Sequence, residues 1–277
     1  MQETRNMHWD DVTERVTDDA KGKWDQVLSP VELEMNEGRL RIVSRPFIMS
    51  EAELDMTPWA TSQFCQRLNV PAAYFRRCPP SLQDAQANHW LQAGHGLRAR
   101  TEREDGEKGG SSNEDPEKEG RWMLRARGDV LRGILSERYT PFDNTALVQA
   151  VGAVLEERFQ VKWFSLTDDA LHLRLLDPKL SREALPGDRL LAGVHLGNSE
   201  VGKRAVTVDA MVFRLVCKNG LVRLVKGKSL LYQRHVSLSH ARFGATLADA
   251  VGDALVQATG FMETLMGPAH ETEKIVR

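Results

Sequence analysis

The chain has 277 residues, of which 41% are hydrophobic and 27% are charged. This composition is ordinary for a folded globular protein, and it excludes a wholly disordered chain, a collagen-like chain and a disulfide-rich mini-protein. The sequence has no run of about 18 apolar residues, and its polar N-terminus leads into no apolar stretch, so we expect neither a membrane span nor a secretory signal. We therefore interpret the protein as cytoplasmic, and its three widely spaced cysteines fit reduced thiols.

The net charge of −2 conceals two segments of opposite charge. Residues 102–119 hold eight acidic and three basic side chains, a net charge of −5. Residues 202–242 hold nine basic side chains and one acidic side chain, Asp209, a net charge of +8. The local charge therefore indicates more about binding partners than the total charge does.

The first predicted elements are an arm and a hairpin. Residues 1–30 are polar and weakly patterned, which predicts an N-terminal arm with one short helix. Apolar and polar residues alternate over Val31–Met35, and Leu40–Val43 has the composition of a returning strand. The turn Asn36-Glu37-Gly38 lies between them, so we predict a β-hairpin here.

Helix signals follow the hairpin. Thr57-Pro58 predicts a helix with Thr57 as its N-cap, and that helix ends near Asn69. A short helix through Tyr74 comes next, and a third helix, capped by Ser81, runs to about Ala93. Residues 101–120 then contain no apolar side chain, which predicts a disordered acidic insertion inside the domain.

After the insertion the pattern is typical of strands. Turn residues at Gly128-Asp129 and Thr167-Asp168-Asp169 predict two hairpins, and a helix that begins at Asp143 or Asn144 lies between them. The remaining predicted elements are strands over Leu190–Leu196, Ala205–Cys217, Leu221–Val225 and Leu230–Val236, and an amphipathic helix over Phe243–Met266 that ends at Gly267-Pro268.

Short turns between consecutive strands predict an antiparallel sheet. The predicted fold class is α+β, an antiparallel sheet of hairpins packed against helices, with a helical N-terminal region and a long C-terminal helix. We expect a single domain over residues 31–267, followed by a polar tail at 268–277.

Motifs that would indicate an enzyme fail on their spacing. Val225–Ser229 ends like a phosphate-binding P-loop, but Val222 stands where that motif needs glycine. Gly197–Gly202 has one residue too many for a hydrolase elbow. We therefore interpret Asn198, Ser199 and Glu200 as a polar loop of unknown role. The His, Cys and carboxylate residues show no metal-ligand spacing, so we expect no metal and no cofactor, and no residue is assigned as catalytic.

The strand predicted at Ala205–Cys217 is largely apolar on both faces, which indicates a central position in the sheet. Asp209 and Arg214 lie on opposite faces of it, so they cannot pair with each other and each needs another partner. Two interpretations of Arg214 stay open, a structural ion pair and a place at the edge of a phosphate-binding groove.

Basic and aromatic residues are interleaved around this strand. Cations neutralise phosphates and rings stack on bases, so the pattern favours a nucleic-acid strand as the partner. A solvated basic edge that deters sheet pairing is the alternative. The candidate nucleic-acid-binding residues are Arg138, Tyr139, Lys203, Arg204, Arg214, Lys218, Arg223, Lys226, Lys228, Tyr232 and Arg234.

Several sequence blocks resemble an uncharacterised family of phage, prophage and plasmid proteins, a domain of unknown function. The blocks are Leu68–Arg77, Leu135–Asn144, and Gly193–Gly202 followed by Phe213–Gly220. The resemblance implies a mobile-element setting and hence DNA metabolism, and it supplies no catalytic residues. More distantly, strand hairpins packed on a long helix are similar to single-strand annealing recombinases, which form rings that hold single-stranded DNA in a basic groove.

The leading hypothesis is a DNA-binding protein that prefers single-stranded DNA and promotes strand annealing without a cofactor. The recombinase resemblance implies a homo-oligomer, with a ring as its form. One alternative is a metal-dependent enzyme that acts on nucleic acid or nucleotides through Asn198, Ser199 and Glu200 with Asp209. The other alternative is a host-interaction or anti-defence protein.

Overall fold

The computed structural model describes residues 2–43, 53–92, 120–153, 159–185, 188–215, 221–224, 229–235 and 240–273. The chain divides into two compact units. The first unit comprises Met1–Ala20 and Thr140–Arg277, and the second unit comprises Lys21–Tyr139. This division differs from the expectation of an arm at 1–30 and one domain over 31–267, because the second unit is inserted into the sequence of the first.

The described residues contain thirteen strands, six α-helices and one 3-10 helix, and they confirm the α+β class with antiparallel sheets and a long C-terminal helix. In chain order the elements are β1 (Gln2–Met7), α1 (Trp9–Ala20), β2 (Lys23–Leu28), the 3-10 helix (Pro30–Glu32), β3 (Leu33–Asn36), β4 (Arg39–Ile42), β5 (Glu53–Met56), α2 (Pro58–Arg67), α3 (Ala72–Phe75), α4 (Pro80–Gln92), β6 (Trp122–Arg127), β7 (Val130–Ser136), α5 (Asn144–Gly152), β8 (Gln160–Leu166), β9 (Leu171–Leu185), β10 (Asp188–Asn198), β11 (Val206–Leu215), β12 (Leu221–Leu224), β13 (Leu231–Gln233) and α6 (His240–Glu273).

The first unit contains a seven-stranded sheet in the order β1-β8-β9-β10-β11, with β12 and β13 both paired to β11. All of its strand pairs are antiparallel. At one edge, β1 pairs with β8 from Gln2 opposite Leu166 to Met7 opposite Val161. The first residues of the segment expected to be an arm at 1–30 thus form an edge strand, and the short helix expected there is α1. Backbone pairing needs no apolar side chain, so such a strand leaves little trace in hydropathy.

Helices α1, α5 and α6 cover one face of this sheet. Alternate strand residues such as Leu173, Val194 and Val208 are buried there, and each such side chain contributes about 1.5–3 kcal/mol to stability. The helices bury Val12 and Val16 of α1, Leu147, Val148 and Val151 of α5, and Phe243, Leu247, Ala250, Val251, Ala254, Ala258 and Met262 of α6 against it. The spacing on α6 is the amphipathic pattern that the sequence predicts.

The second unit contains a six-stranded sheet in the order β2-β6-β7-β5-β4-β3. Its pairs are antiparallel except for β5 with β7. The predicted β3–β4 hairpin turns at Glu37 and Gly38, whose φ angles of 52° and 80° are the left-handed values of a two-residue turn. Phe64 of α2 and Leu91 of α4 pack with Trp122 in the core of this unit.

Helix boundaries agree with the sequence at some ends and differ at others. Thr57 caps α2 as predicted, because its Oγ1 accepts a hydrogen bond from Ala60 N at 3.1 Å. Helix α4 begins at Pro80, before the predicted cap Ser81, since a proline at the first helical position lacks only an N–H that would be unpaired there. Helix α6 continues past Gly267-Pro268 to Glu273, because a proline removes one backbone hydrogen bond and the 34-residue helix keeps the others.

Some predictions lie outside the described residues. These are the acidic insertion at 101–120 except for Gly120, and the turn Lys218-Asn219-Gly220. Among the helices that the structure does describe, none has both the length and the apolar character needed to cross a membrane.

Candidate functional site

The face of the seven-stranded sheet opposite the helices carries polar and aromatic side chains. Residues in register across neighbouring strands lie on the same face of a sheet. One such row runs across β13, β11, β10, β9 and β8, and the next row runs across β11, β10, β9 and β8. The first row is Tyr232, Thr207, Gly197, His172 and Ser165, the second is Asp209, His195, Arg174 and Trp163, and together they are called the polar face.

Arg204 lies between β10 and β11 and places its guanidinium on the polar face. Its Nη2 donates to Thr207 Oγ1 at 3.1 Å, and its Nη1 lies 2.8 Å from His172 Nδ1. Gly197 lies against the same group, because a Cβ at this position would be 2.5 Å from Arg204 Cζ. The missing side chain therefore makes room for the cation. Burial lowers the pKa of Arg204, and the nearby charge of Asp209 acts in the opposite direction.

His172 and His195 form a stacked pair beside this guanidinium. Their ring planes differ by 2°, their centroids are 5.5 Å apart, and His172 Nδ1 lies 3.3 Å from His195 Nε2. Burial lowers the pKa of His172 to about 4, with a further lowering from the charge of Arg204. His172 is therefore neutral near pH 7, and a neutral imidazole can accept a hydrogen bond from Arg204.

Asp209 lies at the other end of the histidine pair. Its Oδ2 is 3.5 Å from His195 Nδ1, and its Oδ1 accepts a hydrogen bond from Ser229 Oγ. Burial alone would raise the pKa of Asp209, but the contacts with His195 and Ser229 outweigh it, so the pKa is lowered. A carboxylate and a guanidinium thus lie at opposite ends of two imidazoles.

Trp163 extends the polar face toward β8. The Arg174 guanidinium lies 4.4 Å from the centroid of its ring, and the His172 ring lies 6.0 Å away. A cation at this distance from an indole is attracted by the ring quadrupole. Four rings, those of Tyr232, His172, His195 and Trp163, therefore share a face with two guanidinium groups.

The loop of Asn198, Ser199 and Glu200 is buried and holds other backbone segments. Asn198 Nδ2 donates to Phe142 O at 3.1 Å and to Asn144 Oδ1 at 2.9 Å. Glu200 is 2% exposed, and its Oε1 accepts from Asn144 N at 2.9 Å. Ser199 Oγ donates to Asp169 O at 2.6 Å. These contacts give the loop a structural role at the start of α5.

Four of the predicted binding residues are exposed in the described part of the first unit, and three of them, Tyr232, Arg234 and Lys203, lie on or next to the polar face. Tyr232 is 66% exposed. Arg234 is exposed two residues further along the chain. Lys203 is also exposed, and its Nζ forms an ion pair with Asp169. With half-buried Arg204, these residues form the part of the predicted set that lies on or next to the polar face.

Other predicted residues lie elsewhere. Arg214 is opposite Leu190, a residue of the helix-covered face, and its Nε donates to Asp188 Oδ1 at 2.9 Å. Of the two interpretations of Arg214, this contact supports the structural ion pair over a place in a phosphate-binding groove. Arg138 and Tyr139 belong to the second unit, where Tyr139 is 8% exposed and packs with Met123 and Leu135. A buried ring cannot stack on a base, so the proposed role of Tyr139 is not supported by its position.

The remaining predicted residues are described only in part. Lys218, Lys226 and Lys228 lie outside the described residues. Arg223 is described only by its backbone, which pairs with Val212. Because Arg214 is on the helix-covered side and Arg204 is on the polar face, the segment of +8 charge is not confined to one face of the sheet.

Sequence analysis missed Trp163, His172, Arg174 and His195. The signal that could have found them is alternation, because His172 and Arg174 are the polar positions of the otherwise apolar run 171–176, and His195 is the polar position of the run 190–197. Their meeting with Asp209 depends on the register of four neighbouring strands. The sequence of a single strand does not predict its register with the neighbouring strands.

Comparisons with known proteins place the chain in a family. No curated protein and no solved structure matches it. Residues 132–271 match the family described as Domain of unknown function (DUF932), and they span just over half of the chain. The match begins in β7 and includes most of α6, so it takes in every strand of the polar face. The chain therefore belongs to this family of unknown function.

Proposed function

We propose that the protein binds single-stranded DNA across the polar face of its first unit. The observation that carries the proposal is the exposed ring of Tyr232 in register with Thr207, the residue that holds the Arg204 guanidinium. A ring for a base and a cation for a phosphate are thus one strand apart, which suits consecutive parts of a nucleotide.

The architecture of the first unit supports this function. Helices cover one face of its antiparallel sheet, and rings and cations occupy the other face. Sheets that present aromatic side chains opposite their helices are a common platform for unpaired bases, because every base has a face on which a ring can stack. Lys203 and Arg234 add exposed cations near the same strands.

The proposal extends to strand annealing by a homo-oligomer, in the form of a ring, in a protein of mobile genetic elements. Bases held by stacking keep their pairing edges available for a complementary strand. Such a protein needs no cofactor, since base pairing itself supplies the driving force for annealing.

The test is fluorescence anisotropy with a labelled single-stranded oligonucleotide and its duplex across a salt series. We expect tighter binding of the single strand, with an affinity that falls with salt at a log–log slope of about −0.7 per phosphate contact. Tyr232→Ala should weaken binding by about 1–3 kcal/mol because it removes one stacking ring.

Tyr74→Ala is the matched control, since Tyr74 is 51% exposed but belongs to the second unit. Equal loss of affinity in the two folded variants would remove the polar face from consideration. Absence of single-strand binding at low salt would overturn the proposed function.

A further inference from the structure

We propose that Arg204 and the stacked His172–His195 pair form a phosphate subsite whose occupation is coupled to proton uptake from solvent. The inference rests on the proposed function, because it assigns the site of one backbone phosphate on the polar face. It adds a regulatory property, since acidification would then tighten nucleic-acid binding.

Among the described residues Arg204 forms no hydrogen bond with a carboxylate, and the charge of Asp209 acts on it only from a distance. The hydrogen-bond partners of Arg204 are Thr207 Oγ1 and the His172 ring, both of which are neutral near pH 7. Nη2 carries two N–H groups and donates only one of them to Thr207, which leaves one for a ligand. A half-buried guanidinium with neutral partners attracts an anion, and the guanidinium fork suits a phosphate.

Gly197 positions this cation. A Cβ at Gly197 would lie 2.5 Å from Cζ, 2.6 Å from Nη2 and 2.9 Å from Nε of Arg204. The clashing atoms belong to the far end of a flexible side chain, so an added methyl group would move the guanidinium and leave the strand in place. Gly197→Ala therefore displaces the guanidinium of Arg204, which would bind the phosphate, without removing its positive charge.

The histidine pair supplies the proton coupling. Burial lowers the pKa of His172, and the positive charges of Arg204 and Arg174 and the neighbouring His195 lower it further, while Asp169 raises it. A phosphate bound at Arg204 would offset the effect of that guanidinium, so the pKa of His172 would rise and His172 would take up a proton.

The pair can also spread the acquired charge. Protonated His172 could no longer accept from Arg204 Nη1, which lies 2.8 Å from Nδ1, and would instead donate from Nδ1 to His195 Nε2, 3.3 Å away. His195 Nδ1 lies 3.5 Å from Asp209 Oδ2, and Ser229 holds the other oxygen of that carboxylate. The positive charge on His172 would therefore be linked to the carboxylate of Asp209 through the His195 ring. The charge of Asp169 also favours protonated His172.

The test is calorimetric titration of the full chain with a single-stranded thymidine oligonucleotide, in two buffers of different ionisation enthalpy. The difference between the buffers gives the number of protons taken up. We expect fractional uptake that grows as the pH is lowered, and about a threefold gain in affinity between about pH 7.5 and 5.0 beyond that of His172→Gln. His172→Gln should bind at the higher pH and lose this gain.

Gly197→Ala should lower the affinity about fivefold at the higher pH, because it moves the guanidinium away from the phosphate. Gly252→Ala makes the same chemical change on α6, where a Cβ would meet nothing within 4 Å, and should bind like the unmodified chain. Thermal melting followed by circular dichroism shows that each variant is folded.

The outcomes separate the subsite from the proposed function. Two outcomes would overturn the subsite but not the DNA-binding function. One is equal proton uptake on oligonucleotide binding in the unmodified chain and in His172→Gln. The other is an oligonucleotide affinity that Gly197→Ala leaves unchanged. Binding of inorganic phosphate with proton uptake, without binding of the oligonucleotide, would support the subsite for a free anion and overturn the DNA-binding function. Binding of neither would overturn both.

Discussion

Two glycines of β10 show how one residue type serves two purposes on the same face. At Gly193 a Cβ would lie 2.2 Å from Leu175 O and 2.7 Å from Leu176 Cδ2. At Gly197 it would meet the guanidinium of Arg204. Backbone held in a sheet cannot move aside as a flexible side chain can, so Gly193 is needed for folding and Gly197 for placing a cation.

Gly193→Ala is expected to lower the free energy of unfolding by about 3 kcal/mol, because overpacking against a fixed carbonyl oxygen forces the strands apart. Gly197→Ala should lower it by less than about 1 kcal/mol. Urea unfolding followed by tryptophan fluorescence measures both. Similar losses in the two variants would contradict the distinction.

The lowered pKa of His172 makes stability depend on pH. The folded protein binds a proton at His172 only near about pH 4, whereas the unfolded chain binds it near the ordinary value of 6.5. The unfolded state therefore takes up the proton first, and the free energy of unfolding falls as the pH is lowered from 6.5 toward 4, by at most about 1.4 kcal/mol per pH unit from this group.

In His172→Gln the free energy of unfolding should fall less steeply as the pH is lowered over this interval. Urea unfolding at several pH values measures this slope. His8→Gln, at an exposed position of the same unit, is the control and should keep the slope of the unmodified chain. A slope that stays unchanged in His172→Gln would show that the imidazole titrates alike in both states.

Among the elements, α5 is notable because its N-terminus is capped from a distant part of the chain. Asp143 is at the N-cap position without a side-chain capping bond. The first helical residue, Asn144, instead donates its backbone N–H to Glu200, and its side chain accepts from Asn198. A carboxylate at a helix N-terminus satisfies a free N–H and favours the helix dipole. Two of the sequence blocks that resemble the family thus meet in one buried contact.

Glu200→Ala is expected to destabilise the protein by about 2–3 kcal/mol, since it leaves the Asn144 N–H buried without its acceptor. Glu200→Gln keeps an acceptor oxygen and loses only the charge, so it should cost about 1 kcal/mol or less. Thermal unfolding of the two variants measures the difference. If both cost the same, the charge and not the hydrogen bond would be the stabilising feature.

Most elements could be predicted from the sequence, but the site could not. Thr57-Pro58, Gly128-Asp129 and the apolar stripe of α6 are local signals, and each of them marks an element that the structure contains. The polar face requires Trp163, Arg174, His195 and Asp209 to lie in register on four strands. That register is set by packing and turns distant from these residues. A cluster of basic residues, by contrast, is visible in sequence without showing which face each one occupies.

For the whole molecule, the family match and the compact units have different boundaries. Residues 132–271 omit β1 and α1, although Val12 and Val16 are buried in the core of the first unit and β1 pairs with β8. The second unit, in contrast, is one continuous segment with its own core. The boundary of a sequence match is therefore not the boundary of a folding unit here.

We expect a fragment of residues 21–139 to unfold cooperatively on its own, as measured by circular dichroism during heating. A fragment of residues 132–271 should lack a cooperative transition, because the core loses the α1 side chains. Residues 1–20 joined to 140–277 through about ten Gly and Ser residues, which span roughly 17 Å, should restore the transition. Cooperative unfolding of 132–271 alone would show that β1 and α1 are dispensable.

The insertion of the second unit also sets the order of events during synthesis. Strand β1 leaves the ribosome before the second unit, but its partner β8 is made about 150 residues later, since Met7 pairs with Val161. At about 5–20 residues per second, this delay is on the order of ten seconds. During this delay the second unit is synthesised, while β1 and the apolar side of α1 have not yet met the strands and helices that they pack against. Strand β1 and helix α1 are therefore made before the second unit but folded after it, so they depend on protection during translation.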